Sequence, residues 1–495
     1  MARVTEPTSP PPTQQQEEDL MPTIVEELAD FAAGAEGRLL PGDVVAESKR
    51  ILLDTLGCAV ASLGDAGARR GIEYGRFLGG SGGSASIIGT GTKTSVPGAA
   101  FANAELVNAL DQDAVLPPGH VTPYVVPGAL ATAEALHSSG ERLLTSIAVA
   151  HEMSYRIGKA TDYLRDIKDG VVTIPKVIGY SSTLFGAAAA IGVVKGFGND
   201  TLADALGIMG STIPTNTQRA WMMHAPSTTI KYQLAGGMAL SAVTAASLAE
   251  LGHTGDRQML DDREYGFPRF IGTSRWEPAP ITAGLGTEWT FTPFQSFKPY
   301  PHCRVMHALF DALTEIIEVN DIKPDEIEAI NAWGESFVMQ PVWVNETIRN
   351  PRDAQFSMTH GLALAAHRIP PGKDWQTPEV VLDPSVLELT TKTTFQEHPD
   401  YTAALASNPA ARRSRIEVHA RGTQFSGERG YPKGSPSPDP ATYMTDDELI
   451  AKFRHNVDGA VSDADADAVI EAVYDLENVD DISTILNRLQ PNSAD

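Results

Sequence analysis

Residues 44–63, VVAESKRILLDTLGCAVASL, decide the fold, because their pattern predicts a long helix with one mostly apolar side. Gly57 and Ala61 carry small side chains that allow a second helix to approach closely. The positions that fall largely on the apolar side are Val44, Ile51, Leu52, Thr55, Leu56, Ala59, Val60 and Leu63. The stretch therefore predicts a core of tightly packed helices.

Helical patterns continue on both sides of this stretch. A first helix is predicted to follow Thr23, because Glu26 lies three residues later, as in a capping box. Around residues 85–98 the sequence allows a short strand or hairpin. Further helical patterns rich in Ala and Gly cover about 97–110, 127–138, 141–160, 181–196, 200–212 and 229–251.

The character of the sequence changes after Gly272, where aromatic residues and prolines become frequent. A helix is predicted for residues 303–318, and alternating patterns predict strands within 325–337, 380–395 and 413–427. A Gly, Pro and Ser-rich loop at 427–445 then precedes three more helical patterns.

These patterns predict a mostly α fold, in which a large all-helical domain is interrupted by a smaller α+β lid domain. The predicted ranges are a disordered tail at 1–22, the first part of the helical domain at 23–272, the lid at 273–440 and the C-terminal part of the helical domain at 441–495. A length of 495 residues is consistent with two domains.

Composition limits the partners and the compartment. With 38 Lys and Arg against 63 Asp and Glu, the formal net charge of -25 argues against nucleic acid or an anionic membrane as a partner. The two cysteines, Cys58 and Cys303, are too few for a disulfide framework or a four-cysteine zinc site, and they fit a reducing compartment. The first 22 residues are acidic and lack an apolar core, so we expect a cytoplasmic protein.

Four short motifs carry candidate chemistry. The first, NALDQDAVLPPGH at 108–120, places Asp111, Asp113 and His120 on a loop constrained by two prolines and a glycine. Helix capping beside a surface histidine is the alternative interpretation. The second, MMHAPSTTIK at 222–231, offers His224 and Lys231 as holders of a carboxylate. Its alternative is a solvated lysine.

The third motif, FKPYPHCRVMH at 297–307, gathers polar and reactive side chains at the start of a helix, namely Lys298, Tyr300, His302, Cys303, Arg304 and His307. Zinc bound by Cys303 and His307 would lack a third and a fourth ligand at standard spacing, so we expect no metal. The fourth motif, IPKVIGYSST at 174–183, offers Lys176, Tyr180 and Ser181, with an ordinary helix cap as its alternative.

Five separated phrases in the same order resemble the MmgE/PrpD family, which includes 2-methylcitrate dehydratase and cis-aconitate decarboxylase. They are ILLDTLGCA at 51–59, ALDQD followed by GH at 109–120, HEMSYRIG at 151–158, KPYPHCRVMH at 298–307 and YPKGSP at 431–436. The resemblance runs from about Ile24 to Leu489. It implies a helical domain with a smaller α+β lid, a homodimer, and a reaction without metal or organic cofactor.

Carried over by position, the resemblance makes Asp111 the first acid of the family motif, His120 its following histidine and Lys231 the lysine before a long helix. Ala114 replaces the second acid. A family histidine expected near 179–181 is absent, so Tyr180, Lys176 or His302 would have to take its role.

Two further positions bear on which reaction the resemblance implies. The turn that follows His224 is similar to the turn of the methylcitrate dehydratases rather than that of the decarboxylases. Cys303 stands where decarboxylases carry a histidine, although His302 is adjacent.

The leading hypothesis is a hydro-lyase that dehydrates a 2-methylcitrate-like or alkylcitrate tricarboxylate. Elimination of water requires a base, an acid and cations that hold the carboxylates. We assign catalysis to Asp111, His120, Lys231, His302 and Tyr180, and substrate binding to Asp113, His224, Lys298, Cys303 and Arg304. The alternatives are a decarboxylase of an unsaturated tricarboxylate such as cis-aconitate, and an inactive homologue that binds carboxylates.

Overall fold

The computed structural model describes residues 21–214 and 218–491. The predicted tail at 1–22 therefore lies almost entirely outside the described residues. The predicted capping box is present, because Thr23 Oγ1 accepts from the Glu26 backbone N–H while Glu26 Oε2 accepts from the Thr23 backbone N–H. The first helix begins there, as predicted.

Helices dominate the chain up to residue 320, in agreement with the sequence. They are α1 (Ile24–Ala33), α2 (Gly42–Ala61), α3 (Ala66–Gly79), α4 (Val96–Asn108), α5 (Thr122–Ala135), α6 (Gly140–Ala160), α7 (Thr183–Lys195), α8 (Asn199–Thr212), α9 (Gln218–Met223), α10 (Ala235–Glu250), α11 (Phe267–Ile271), α12 (Ala279–Thr282) and α13 (His307–Val319). The later helices are α14 (Pro351–Ala354), α15 (Met358–Ala366), α16 (Pro378–Val381), α17 (Pro384–Thr391), α18 (Tyr401–Ser407), α19 (Asp446–Val457), α20 (Asp463–Tyr474) and α21 (Ser483–Arg488).

The strands form small sheets. They are β1 (Ala85–Ile87), β2 (Thr92–Thr94), β3 (Val115–Leu116), β4 (Gly119–His120), β5 (Asp166–Lys168), β6 (Val171–Thr173), β7 (Ile327–Gly334), β8 (Thr393–Glu397), β9 (Ser414–Ala420) and β10 (Thr423–Arg429). The first six pair as three antiparallel ladders, and the other four form one sheet in the order β10-β9-β7-β8. Within this sheet β7 and β8 are parallel, and the other neighbours are antiparallel. The fold is thus mostly α with a small α+β region, as predicted, while the domain boundaries stay a prediction.

Helix α2 is more deeply buried than its one-sided pattern suggests, because every residue from Ser48 to Ala61 is buried. It packs against α4 and α6, and α19 from the C-terminal part of the chain covers a further side. A Cβ atom at Gly57 would lie 3.1 Å from the ring of Phe453 in α19. The small residue therefore permits the close helix contact that the sequence predicts.

Helix α7 lies in the interior, since all its residues from Thr183 to Val194 are buried. It packs against α5, α6, α8 and α10. Its alanines and Gly186 allow these neighbours to approach, and a Cβ atom at Gly186 would lie 2.4 Å from the backbone oxygen of Ala150 in α6.

One predicted strand is partly wrong. Within 380–395, residues 384–391 form helix α17, and the strand begins at Thr393. Asp383 caps the helix by accepting from the Ser385 backbone N–H, and Pro384 occupies the first helical turn. The Asp-Pro-Ser start signal therefore outweighs the alternation of apolar residues.

Among the described residues, no single helix is long and apolar enough to cross a membrane. Residues 42–64 and 66–79 meet the length and composition criteria only when taken together, and they are bent by 100°.

The contact between α6 and α7 predicts a steric effect at Gly186. The Gly186→Ala variant should lower the free energy of unfolding by ~1–3 kcal/mol, because the new methyl group collides with a backbone oxygen that cannot rotate away. Chemical denaturation followed by circular dichroism measures the change. Gly64→Ala is the matched control, since nothing lies within 4 Å of a Cβ atom there. Equal stability of the two variants would contradict the prediction.

Candidate active site

The loop after α4 forms the floor of the candidate site. Helix α4 ends at Asn108, and Asp111 adopts a left-handed conformation with φ of 55°. The short β3–β4 ladder pairs Val115 with His120 and so returns the chain over the two acids. Asp111, Asp113 and His120, which the first motif predicts as a group, therefore lie together and are buried.

Asp113 is the closest acidic partner of His120. His120 Nδ1 lies 2.6 Å from Asp113 Oδ2. A carboxylate can only accept, so Nδ1 carries the proton and donates it. Asn108 Nδ2 donates to the other oxygen of Asp113 at 3.2 Å. Asp113 is 0% exposed. It orients the imidazole, and its two oxygens are engaged by His120 and Asn108.

Asp111 faces the other ring nitrogen of His120, at 3.4 Å from Nε2. Lys298 Nζ lies 2.9 Å from Asp111 Oδ2, and Lys231 Nζ lies 3.6 Å from Asp111 Oδ1. Burial alone would raise the pKa of Asp111, but the nearby charges, Lys298 first and then Lys231, outweigh it and hold the pKa well below its usual range. Asp111 is therefore a permanent anion between two ammonium groups and an imidazole.

Lys231 is the second cation beside Asp111, and its pKa is lowered. Burial lowers the pKa of Lys231 to about 8, although Asp111 acts in the opposite direction. Its ammonium group donates to the backbone oxygen of Asn108. The adjacent Tyr232 donates its hydroxyl proton to Asp111 Oδ1 at 2.6 Å and stacks on the ring of His120 with 4.5 Å between centroids.

Tyr180 closes the site over His120. Its ring meets the imidazole edge-on with 5.9 Å between centroids. A Cβ atom at residue 119 would lie 2.1 Å from Tyr180 Cε1, and Gly119 has a φ of 156°. Glycine at 119 is thus required for Tyr180 to reach this position.

The third motif contributes Lys298 directly and the two residues His302 and Cys303 nearby. His302 is buried against α15, where a Cβ atom at Gly361 would lie 2.7 Å from Nε2. Burial lowers the pKa of His302 to about 4. Burial raises the pKa of Cys303 to about 11, so its thiol stays protonated at neutral pH.

Three predicted residues lie apart from this cluster. Arg304 donates to the backbone oxygens of Phe297 and Lys433 and to the Ser435 hydroxyl, so its guanidinium holds the loop after β10 in place. His224 and Lys176 are exposed. Their motifs lie on the surface at these positions, whereas Lys231, Tyr180 and Ser181 from the same motifs are buried.

Among the described residues, Asp111, Asp113 and His120 are the group whose donor atoms lie close enough together to hold a metal ion, all within 4.8 Å. Their donor atoms are already engaged by Lys298, Tyr232 and Asn108. A divalent cation would have to enter beside two ammonium groups, which repel it. At the alternative zinc position, His307 Nε2 donates to the His302 backbone oxygen, and Nδ1 accepts from Arg304.

Several side chains that hold the residues of the site in place could not be predicted from the sequence. Tyr232 follows Lys231 directly, and this adjacency to a predicted cation is the one signal that could have found it. Gln355, Gln376 and Lys452 are buried and donate to backbone oxygens of residues 109, 110 and 112. Amides and a lysine in ordinary helical contexts carry no sequence signal for such contacts.

Comparison with known proteins identifies the family of this chain. The sequence profile of the MmgE/PrpD N-terminal domain matches residues 26–279, and that of the MmgE/PrpD C-terminal domain matches residues 300–477. A cis-aconitate decarboxylase from Aspergillus terreus is 26% identical over 307 residues, which cover 59% of this chain and 60% of that protein. The cis-aconitate decarboxylase of A. terreus strain NIH 2624 / FGSC A1156 matches with the same identity and the same shares. The two profile matches cover most of the chain, and the chain therefore belongs to the MmgE/PrpD family.

Proposed function

We propose that the protein is a lyase that dehydrates a 2-methylcitrate-like or alkylcitrate tricarboxylate. The observation that carries this proposal is the buried pairing of His120 with Asp113, set beside Asp111 and the ammonium groups of Lys231 and Lys298. Such an arrangement offers one group that exchanges a proton and two ammonium groups, of which Lys231, with the longer ion pair, is the more available to a carboxylate.

Dehydration removes a proton from one carbon and a hydroxyl group from its neighbour, leaving a carbon–carbon double bond and a water molecule. His120 Nε2 is the atom for the first transfer, because Nδ1 is committed to Asp113. Tyr180 is the better candidate for protonating the leaving hydroxyl, since it lies against the imidazole while His302 is packed against α15. Lys231 holds a substrate carboxylate by releasing its long 3.6 Å contact with Asp111.

Decarboxylation of an unsaturated tricarboxylate is the second candidate. It is favoured by the 26% identity to a protein named cis-aconitate decarboxylase. The same cations would hold the carboxylates, and a proton would be delivered to carbon after carbon dioxide leaves. Cys303 in place of the decarboxylase histidine argues for dehydration. The homodimer and the cytoplasmic location stay predictions of the sequence.

A substrate panel distinguishes the reactions. The purified protein, incubated with citrate, 2-methylcitrate, a longer alkylcitrate and cis-aconitate, should convert the 2-methylcitrate or the alkylcitrate into a product lighter by one water. Mass spectrometry measures the products. Carbon dioxide release from cis-aconitate would support decarboxylation. Calorimetric binding of these acids without any turnover would support an inactive carboxylate-binding homologue.

Substitution of the central residues tests their roles. His120→Gln and Lys231→Ala should each lower kcat/KM by about 10²–10⁴-fold, the usual effect of losing an acid–base group or a carboxylate anchor. Steady-state kinetics and thermal melting measure activity and folding together. His253→Gln and Lys323→Ala are matched controls, because both side chains are exposed. Activity in the His120 or Lys231 variant equal to that of its control would refute the assignment.

The lowered pKa of Lys231 predicts a specific pH dependence. As the pH rises through about 8, Lys231 loses its proton and with it the charge that attracts a substrate carboxylate. KM should therefore rise above this pH. In Lys231→Arg the charge persists at alkaline pH, so the rise should disappear even where activity is reduced. A wild-type KM that stays constant up to pH 10 would be inconsistent with this role of Lys231.

A further inference from the structure

A chain of buried amide groups joins the two sequence motifs that form the site. Gln376 Nε2 donates to the backbone oxygen of Leu110 at 3.0 Å and to that of Pro301 at 2.6 Å. Leu110 directly precedes Asp111, and Pro301 lies three residues after Lys298. One amide group therefore contacts both the acid loop and the segment that carries its main cation.

The direction of this amide group is fixed by its neighbours. Arg352 can only donate, and it donates to Gln355 Oε1 at 2.6 Å. The Gln355 amide nitrogen must then point the other way, and it donates to Gln376 Oε1 at 2.6 Å and to the Ala109 backbone oxygen at 2.8 Å. Gln376 consequently presents both of its N–H groups to Leu110 and Pro301.

We propose that Gln376 is a positioning residue for the reaction, because it sets the distance between Asp111 and Lys298. The inference rests on the proposed function. Gln355 and Arg352 act through Gln376 by fixing its orientation. Arg352, Gln355 and Gln376 all lie between residues 351 and 376, whereas the backbone oxygens that accept from the two glutamines lie at 109, 110 and 301.

Burial makes the arrangement sensitive to substitution. Gln355 is 2% exposed and Gln376 is 9% exposed, so water cannot readily replace a lost donor. Without Gln376, the Leu110 and Pro301 oxygens have no common donor, and the segments on which Asp111 and Lys298 lie can separate. The contact with Lys298 is the largest influence that favours the ionised form of Asp111, and separation would weaken it.

Gln376→Leu keeps the size of the side chain and removes its donors. We expect kcat to fall about 10²-fold with little change in KM, as for a displacement of about 1 Å in a catalytic group. Gln355→Leu should have a similar effect, and the double variant should be no worse than either single variant.

Gln424→Leu serves as the matched control, since Gln424 is exposed on β10. Val386→Ala controls for general loss of stability, because Val386 is a buried residue of α17. Wild-type kcat in Gln376→Leu would overturn the proposal. If the losses of kcat from Gln355→Leu and Gln376→Leu add up in the double variant, Gln355 does not act through Gln376.

A readout without turnover separates this proposal from the assignment of the reaction. Lys298 is 0% exposed, and its amine should react several-fold faster with acetic anhydride in Gln376→Leu than in the wild type. Mass spectrometry measures the modification, with exposed Lys323 as the internal reference. Unchanged labelling of Lys298, or an equal increase in Val386→Ala, would overturn the positioning role. A wild type inactive on every acid of the panel would instead overturn the proposed function.

Discussion

The structure depends on one requirement, that the buried backbone oxygens at the end of α4 find donors. Carbonyl groups in the turn that follows a helix lie outside the helical hydrogen-bond pattern, and a buried carbonyl without a donor is costly. Here five consecutive oxygens, those of residues 108–112, each accept from a side chain of a different segment. The donors, in order, are Lys231, Gln355, Gln376, Lys298 and Lys452. Segments more than 300 residues apart in sequence meet at this turn, so the fold and the site are assembled by the same contacts.

The same turn gathers cations in a chain with a net charge of -25. The carboxyl end of a helix carries partial negative charge, which favours nearby cations. Three of the five donors are lysines. Lys452 is balanced by Asp54 at 2.5 Å, and Lys298 by Asp111, so two of the three charges are committed to the protein. Lys231 has the longest ion pair, which leaves it the most available to a substrate.

The helical framework could be predicted from the sequence because apolar periodicity and capping signals are local. The gathering of Asp111, His120, Lys231 and Lys298 could be predicted because separate motifs each carried reactive residues. The division of labour between Asp111 and Asp113 could not, since it depends on which oxygen the β3–β4 ladder brings to the imidazole. The outward position of His224 likewise depends on how the chain turns before Lys231. The hydrogen bonds of Gln355 and Gln376 could not be predicted from the sequence, because their acceptors include backbone atoms of distant segments.

Tyr180, one of the residues that could take the role of the absent family histidine, bears on the proposed chemistry. At neutral pH a phenol donates a proton, whereas an imidazole can either donate or accept one. In the proposed reaction Tyr180 donates a proton, and acceptance of a proton falls to His120, whose Nδ1 is held by Asp113. This asymmetry suits elimination of water, in which one group receives a proton from carbon and another delivers one to oxygen. It suits decarboxylation less well, because that reaction needs only a donor to carbon and leaves a fixed base without a task. The close fit with Gly119 holds the Tyr180 ring beside His120, and the proposed reaction must therefore be compatible with a phenol at this position.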